Sequence, residues 1–254
     1  MIDIHSHILP GVDDGANSLE ESIEMAKLAV QEGITQIVAS PHHFTSRFYN
    51  PKEKILSKVN HLNQALQKEN IPLEVLLGQE VRIIGDLISE YEKNQIATIN
   101  GDIYLLIEFP ANHVPGYAEQ LFFEIQMAGL IPIIVHPERN SQFVEQPDKL
   151  YNLIEKGALS QVTAASISGY FGKKIQKFTI QLIEANLTHV VASDAHNTTS
   201  RSFKMVEAYE VIEKEFGTET VQIFQENAEL IVAGKLIYRE NPKKIKKRKI
   251  LGIF

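Results

Sequence analysis

Short apolar runs alternate with stretches of helical spacing along almost the whole chain. Strand-like runs fall at residues 2–8, 36–40, 73–78, 104–109, 132–135, 159–163 and 189–193. Between them, apolar positions recur with a period near 3.6, which predicts helices. The first helix has a clear start, with Ser18 as its cap and Glu21 three residues on completing a capping box, and Gly33 ends it. Further helices are expected over 51–69, 86–91, 114–129, 147–156, 171–186, 203–216 and 219–233. Strands alternating with helices imply a parallel sheet, and a single-domain α/β barrel of seven strands is its simplest closure.

Composition fits that reading and narrows the chemistry. At 254 residues, with 44% hydrophobic and 22% charged positions, the chain can bury a core as one unit. No run of about eighteen apolar residues occurs, and the start lacks a signal-like apolar segment, so a cytoplasmic protein is expected. The formal net charge of −7 argues against a general nucleic-acid binder. There is no cysteine. That removes disulfides, thiolate metal sites and cysteine nucleophiles, so any metal must be held by nitrogen and oxygen.

The distribution of imidazoles and carboxylates is the informative feature. His5 and His7 lie two apart on the first strand, so both face the same side. His42 follows the second strand in SPHH, Glu80 ends the third in GQE, and Glu108 ends the fourth in LLIEF. His136 ends the fifth in IIVHPERN, and Asp194 and His196 end the last in VVASDAH. Asp14 sits in the loop after the first strand. Six strands thus deliver ligand-type residues to the one face where active sites of parallel barrels lie. A lone strand-end histidine or glutamate is usually a surface group. The repetition on six strands is what points to metal, and nine N/O donors exceed the needs of one ion. Two or three ions of Mn²⁺, Fe²⁺ or Zn²⁺ suit such donors. His43, His113 and His189 follow no such pattern.

These motifs resemble the polymerase-and-histidinol-phosphatase (PHP) superfamily. Within it, the chain is similar to bacterial metal-dependent protein-tyrosine phosphatases of capsule and exopolysaccharide operons. DIHSHILPGVDDGA, SPHH, GQE, IEF, HPERN and SDAH carry the likeness, which runs from residue 1 to about 240. The resemblance implies a distorted seven-stranded barrel with a three-ion, usually manganese-dependent centre. It implies one ion at His5, His7, Glu80 and Asp194. A second would be held by His42, Glu80 and Glu108, with Glu80 bridging, and a third by Asp14, His136 and His196. It also implies a partner, a bacterial tyrosine kinase, with tyrosine-phosphorylated proteins as substrates.

The remaining candidates concern substrate. Arg139 and Arg201 follow ligand-bearing strands, and a guanidinium fork matches phosphate oxygens. The bland alternative is a surface salt bridge. Phe44, Phe48 and Tyr49, in the loop after the second strand, are candidate contacts for a peptide, or else pack within that loop. Other readings are a small-molecule phosphatase such as histidinol-phosphate phosphatase, a phosphodiesterase, or a non-catalytic scaffold for a kinase tail. Residues 243–254, KKIKKRKILGIF, form a basic tail that suits an acidic partner or an anionic membrane surface. A solvated tail is the plain alternative. The division expected is a domain over 1–240 and this tail over 241–254.

Overall fold

The computed structural model describes residues 1–245. The tail positions 246–254 lie outside the described residues, and so does most of the expected basic segment. Nine parallel strands form, in chain order β1 (Ile2–Ser6), β2 (Gln36–Ala39), β3 (His42–His43), β4 (Glu74–Leu77), β5 (Glu80–Arg82), β6 (Tyr104–Glu108), β7 (Ile131–Val135), β8 (Leu159–Thr163) and β9 (Val190–Ala192). They make a three-stranded sheet in the order β1-β2-β4 and a six-stranded sheet in the order β3-β5-β6-β7-β8-β9. Seven strands were expected. The difference arises because two expected runs are each followed, two residues later, by a short strand in the other sheet. Pro41 interrupts the first run, having no N–H to give a ladder, and Gly78–Gln79 interrupts the second. A parallel bridge between Ser6 and Ala195 brings β1 to the end of β9.

Among the described residues ten α-helices connect and cover the strands: α1 (Leu19–Gln31), α2 (Lys52–Lys68), α3 (Leu87–Glu92), α4 (Ala118–Met127), α5 (Ser141–Glu145), α6 (Asp148–Glu155), α7 (Ala164–Ile167), α8 (Lys173–Glu184), α9 (Met205–Phe216) and α10 (Thr218–Val232). The Ser18 hydroxyl caps α1 by accepting from the Glu21 N–H at 3.3 Å. Glu21 reaches one residue further than a capping box requires, taking the Asn17 N–H at 2.8 Å. The short α5 and α7 were not expected, because neither is long enough to show a period. Asn140 caps α5 through the Phe143 N–H.

Alternate strand residues divide between two apolar clusters, as the period of two demands. Ile37, Leu105, Ile107, Ile134 and Val191 join the larger cluster together with residues of the surrounding helices. Val38, Leu106, Ile133, Val135 and Val190 join a second one, which includes Ala228, Ile231 and Val232 of α10. With α10 packed beneath the strands, the polar chemistry is left to their C-terminal ends. Among the described residues no helix is long and apolar enough to cross a membrane. What is described of the tail is docked rather than free. The Lys243 N–H donates to Ala185 O at 2.8 Å, and Ile245 packs on the core.

Candidate metal centre

The nine predicted ligands gather at those C-terminal ends. Nε2 of His5 lies 3.4 Å from Nε2 of His7, an arrangement of two ring nitrogens with no acceptor between them. Oε2 of Glu80 is 3.7 Å from His5 Nε2 and 3.4 Å from His7 Nε2, and Oδ1 of Asp194 is 3.5 and 3.3 Å from the same atoms. These four residues make the first expected set.

The second expected set also gathers, His42 with Glu80 and Glu108, while the third differs, because His7 and His42 rather than His136 stand with Asp14 and His196. Oδ1 of Asp14 is 3.4 Å from Nε2 of His42 and 3.4 Å from Nε2 of His196. His136 instead places Nε2 2.8 Å from Oε1 of Glu80. His42 therefore stands with Asp14 and His196 as well as with Glu80 and Glu108, and His136 stands beside Glu80. Strand adjacency explains these placements. The Asp14 loop follows β1, which is flanked by the β2–β3 run carrying His42 and by β9, which leads to His196. Glu108 ends β6, whose neighbours β5 and β7 carry Glu80 and His136. His42 also faces the Glu80 side, with Nδ1 2.7 Å from Glu80 Oε2 and 3.6 Å from Glu108 Oε2.

Two of these residues sit in the left-handed region, His136 at φ 37° and Asp194 at φ 52°. For residues with a Cβ such a conformation costs on the order of 1–3 kcal/mol and recurs at functional sites. In both cases the chain turns sharply just past a strand, which throws the side chain back over the strand ends.

The donor chemistry fits cations. His42 Nδ1, Glu80 Oε2, Glu108 Oε2 and His196 Nε2 are buried and have no hydrogen-bond partner. The 2.7 Å approach of His42 to Glu80 is thus close without being aligned as a hydrogen bond. Glu80 and Asp194 are buried, and clustered carboxylates out of water are costly unless compensated. In the protein alone, protons share that role. Burial works against a charged His42, yet the Glu80 and Asp14 carboxylates override it and hold the group up at about 10. Burial and the adjoining Glu80 charge push Glu108 up to about 7. Burial and the Arg139 guanidinium bring His136 down to about 4. Cations would take the same lone pairs, so metal binding here is linked to proton release.

Both predicted arginines are at the cluster and not in surface salt bridges. Arg139 Nη1 donates to Oδ2 of Asp194, and Arg201 Nη2 donates to the same oxygen at 3.0 Å. Each side chain keeps 30% exposure, so each reaches the site from its open side. The Phe171 ring lies 5.4 Å from the Arg139 guanidinium carbon. The predicted aromatics are placed differently. Phe44 lies tilted against His43, with ring centres 3.8 Å apart, and packs against the core. Tyr49 is exposed and donates its hydroxyl to Gln95. Phe48, the third aromatic of that loop, lies nearly parallel to the His42 ring with centres 5.9 Å apart.

Several supporting residues were missed. Asp13 takes the Nδ1 of His7 at 2.6 Å, and Oε1 of Gln161 lies 2.9 Å from Nδ1 of His5. Glu138 is buried and accepts from the Thr163 N–H and the Ser166 hydroxyl, fixing the turn that carries Arg139. Arg82 Nη2 stands 2.9 Å from Glu108 Oε2 as an ion pair, without being aligned as a hydrogen bond. The doublet Asp13–Asp14 and the polar Gln161 in an otherwise buried strand were the available signals.

Comparison with known proteins agrees with the site. The family of capsular polysaccharide synthesis proteins CpsB/CapC matches residues 1–233. The tyrosine-protein phosphatase YwqE of Bacillus subtilis (strain 168) is 50% identical over 254 residues, the full length of both chains. The putative tyrosine-protein phosphatase CapC of Staphylococcus aureus is 42% identical over 98% of each. A crystal structure from work on YwqE of Bacillus subtilis and CpsB of Streptococcus pneumoniae, described as metal-dependent tyrosine phosphatases, superposes with a TM-score of 0.95. It is 50% identical and covers 97% of this chain and 100% of that one. With its ligand cluster complete and its relatives matched from end to end, the chain belongs to the CpsB/CapC family of capsular polysaccharide synthesis.

Proposed function

We propose that the chain is a metal-dependent protein-tyrosine phosphatase with Mn²⁺ as its working ion. Its substrates are a bacterial tyrosine kinase and that kinase's phosphorylated targets in exopolysaccharide control. Full-length relatives that are tyrosine-protein phosphatases support the reaction class. The observation that carries the reading is the convergence of unpartnered nitrogen and oxygen lone pairs beneath two arginines. We assign His5, His7, Glu80 and Asp194 to one ion. Glu80, Glu108 and His136 serve a second, with Glu80 shared, and Asp14, His42 and His196 a third. This revises the sets that resemblance alone implied. We read β2 with β3 and β4 with β5 as single interrupted strands, and the Ser6–Ala195 bridge as closure, which makes a distorted seven-stranded barrel of the PHP type.

Bound divalent ions supply Lewis acidity and lower the pKa of water, giving a nucleophile at neutral pH. The chain's own residues do the rest. Arg139 and Arg201 approach from the open side and meet the outer phosphate oxygens, where charge persists through the transition state. A tyrosine leaving group has a pKa of about 10 and needs less help from an acid than an alkyl alcohol does. Phe48 beside His42, and the exposed Tyr49 of the same loop beside His43, would give a peptide an apolar ledge. Kinase-dependent phosphotyrosine is made where ATP is available, so we place the enzyme in the cytoplasm. The basic tail that begins at Lys243 and Lys244 suits an acidic partner or an anionic surface.

Side-by-side kinetics on a phosphotyrosine peptide, a phosphoserine peptide, histidinol phosphate and a phosphodiester test the assignment. We expect preference for the phosphotyrosine peptide, insensitive to thiol alkylation because the chain has no cysteine. Preference for histidinol phosphate would assign the site to a small molecule, and no turnover of any of the four would favour a binding scaffold.

A further inference from the structure

Asp13 and Asp14 are neighbours in sequence but are turned in different directions. The Asp13 side chain is fully buried at 0% exposure, whereas that of Asp14 is 48% exposed and faces His42 and His196. The Asp13 carboxylate accepts three hydrogen bonds from three ligand-bearing segments. Its Oδ2 takes Nδ1 of His7 at 2.6 Å and the backbone N–H of His42 at 3.1 Å. Its Oδ1 takes the backbone N–H of Gly15, next to Asp14, at 3.0 Å.

We propose that Asp13 is a positioning residue that sets the ligating nitrogen of His7 and ties the His42 and Asp14 segments to it. The proposal rests on the three-ion reading of the site. A neutral imidazole carries one N–H, and a carboxylate against Nδ1 keeps the proton there, so the Nε2 lone pair is free toward Glu80 and Asp194. The loop cannot swing Asp13 away. The Ala16 N–H donates to His7 O at 3.1 Å, and a Cβ at Gly15 would fall 2.0 Å from that same oxygen. Gln161 stands in the same relation to Nδ1 of His5, and there one amide oxygen suffices for one contact. At position 13 both oxygens accept. An asparagine would set its NH₂ either against the Gly15 N–H or against the His7 and His42 donors, so an isosteric amide cannot replace the acid.

The test is Mn²⁺ titration of the chelator-stripped full chain by calorimetry, with wild type, Asp13→Asn and Asp13→Ser compared. Serine keeps a short acceptor for the Gly15 N–H and so preserves the turn, but it is too short to reach His7. Both variants should bind Mn²⁺ about 10–100-fold more weakly than wild type. In the Zn²⁺-loaded protein, the ¹⁵N signal of the His7 Nδ1–H should be present in wild type and lost in Asp13→Ser. If Asp13→Asn fails to fold, Asp13→Ser decides the matter. Wild-type Mn²⁺ affinity in either folded variant overturns the proposal. So does lost affinity with the His7 signal intact, which would assign the effect to loop structure. A wild-type chain that binds no Mn²⁺ would instead overturn the three-ion reading itself.

Discussion

Arg139 and Arg201 both donate to Oδ2 of Asp194, while Oδ1 faces His5 and His7. One carboxylate thus stands between the imidazoles and the guanidiniums, and on the proposed reading it separates a ligand side from a phosphate side. An arginine stays protonated and cannot ligate a cation, so its removal should spare the metal. Charge-assisted hydrogen bonds of this kind are worth roughly 1.5–3 kcal/mol each, or about one to two powers of ten in rate. Arg139→Ala or Arg201→Ala should lower kcat/KM at least tenfold, with metal content and Tm close to wild type. Arg139→Lys should restore only part of the rate, because a point charge lacks the two-pronged fork. His136→Ala should lose metal together with activity. Should an arginine variant lose metal, that residue supports Asp194 and the phosphate clamp lies elsewhere; full turnover would leave it no role in the reaction. The arginines were legible in the sequence because each follows a ligand strand. Their shared partner was not, because Asp194 lies 55 residues from Arg139 along the chain.

At the level of elements, period and punctuation located seven of the nine described strands and every long helix to within a few residues, but not the short β3 and β5. Glu80 and His42 were visible as strand-end residues, yet their grouping depended on which strands are neighbours. Sequence spacing carries no record of that, so the place of His136 beside Glu80 and of His42 beside Asp14 was not legible. Hydrogen-bonded supports such as Asp13 and Gln161 were hidden for the same reason. His189 shows the structural use of a histidine outside the ligand pattern. Its Nδ1 accepts from the Ser160 N–H at 3.2 Å and its carbonyl accepts from Asn227 at 2.9 Å, joining β8, β9 and α10. Burial, with Arg239 adding to it, drives the group down to about 3, so it is neutral when folded. The unfolded imidazole takes a proton below about pH 6.5, which means the unfolded state binds more protons and stability falls as pH falls from about 6.5 toward 3. At pH 4.5 the loss from this group is about 3 kcal/mol. Chemical denaturation of metal-free wild type and His189→Asn between pH 6.5 and 4.5 measures it. The asparagine keeps an acceptor near Nδ1 and cannot titrate, so wild type should lose more stability by roughly that amount. Parallel curves would show that His189 is not held neutral.

On the scale of the molecule, one apolar cluster beneath the strands, sealed by α10, and a charged cluster above them divide the labour between stability and chemistry. The lower cluster gives the strands a rigid footing, and the upper one gathers carboxylates that burial penalises unless cations compensate them. The account therefore stands or falls on metal. The most direct measurement counts ions per chain by native mass spectrometry on Mn²⁺-loaded protein, while turnover of a phosphotyrosine peptide is followed as a chelator strips the sample. The account predicts more than one ion per chain, approaching three, with turnover lost as the ions leave and regained when Mn²⁺ returns. Undiminished turnover in protein carrying less than one ion per chain would contradict it.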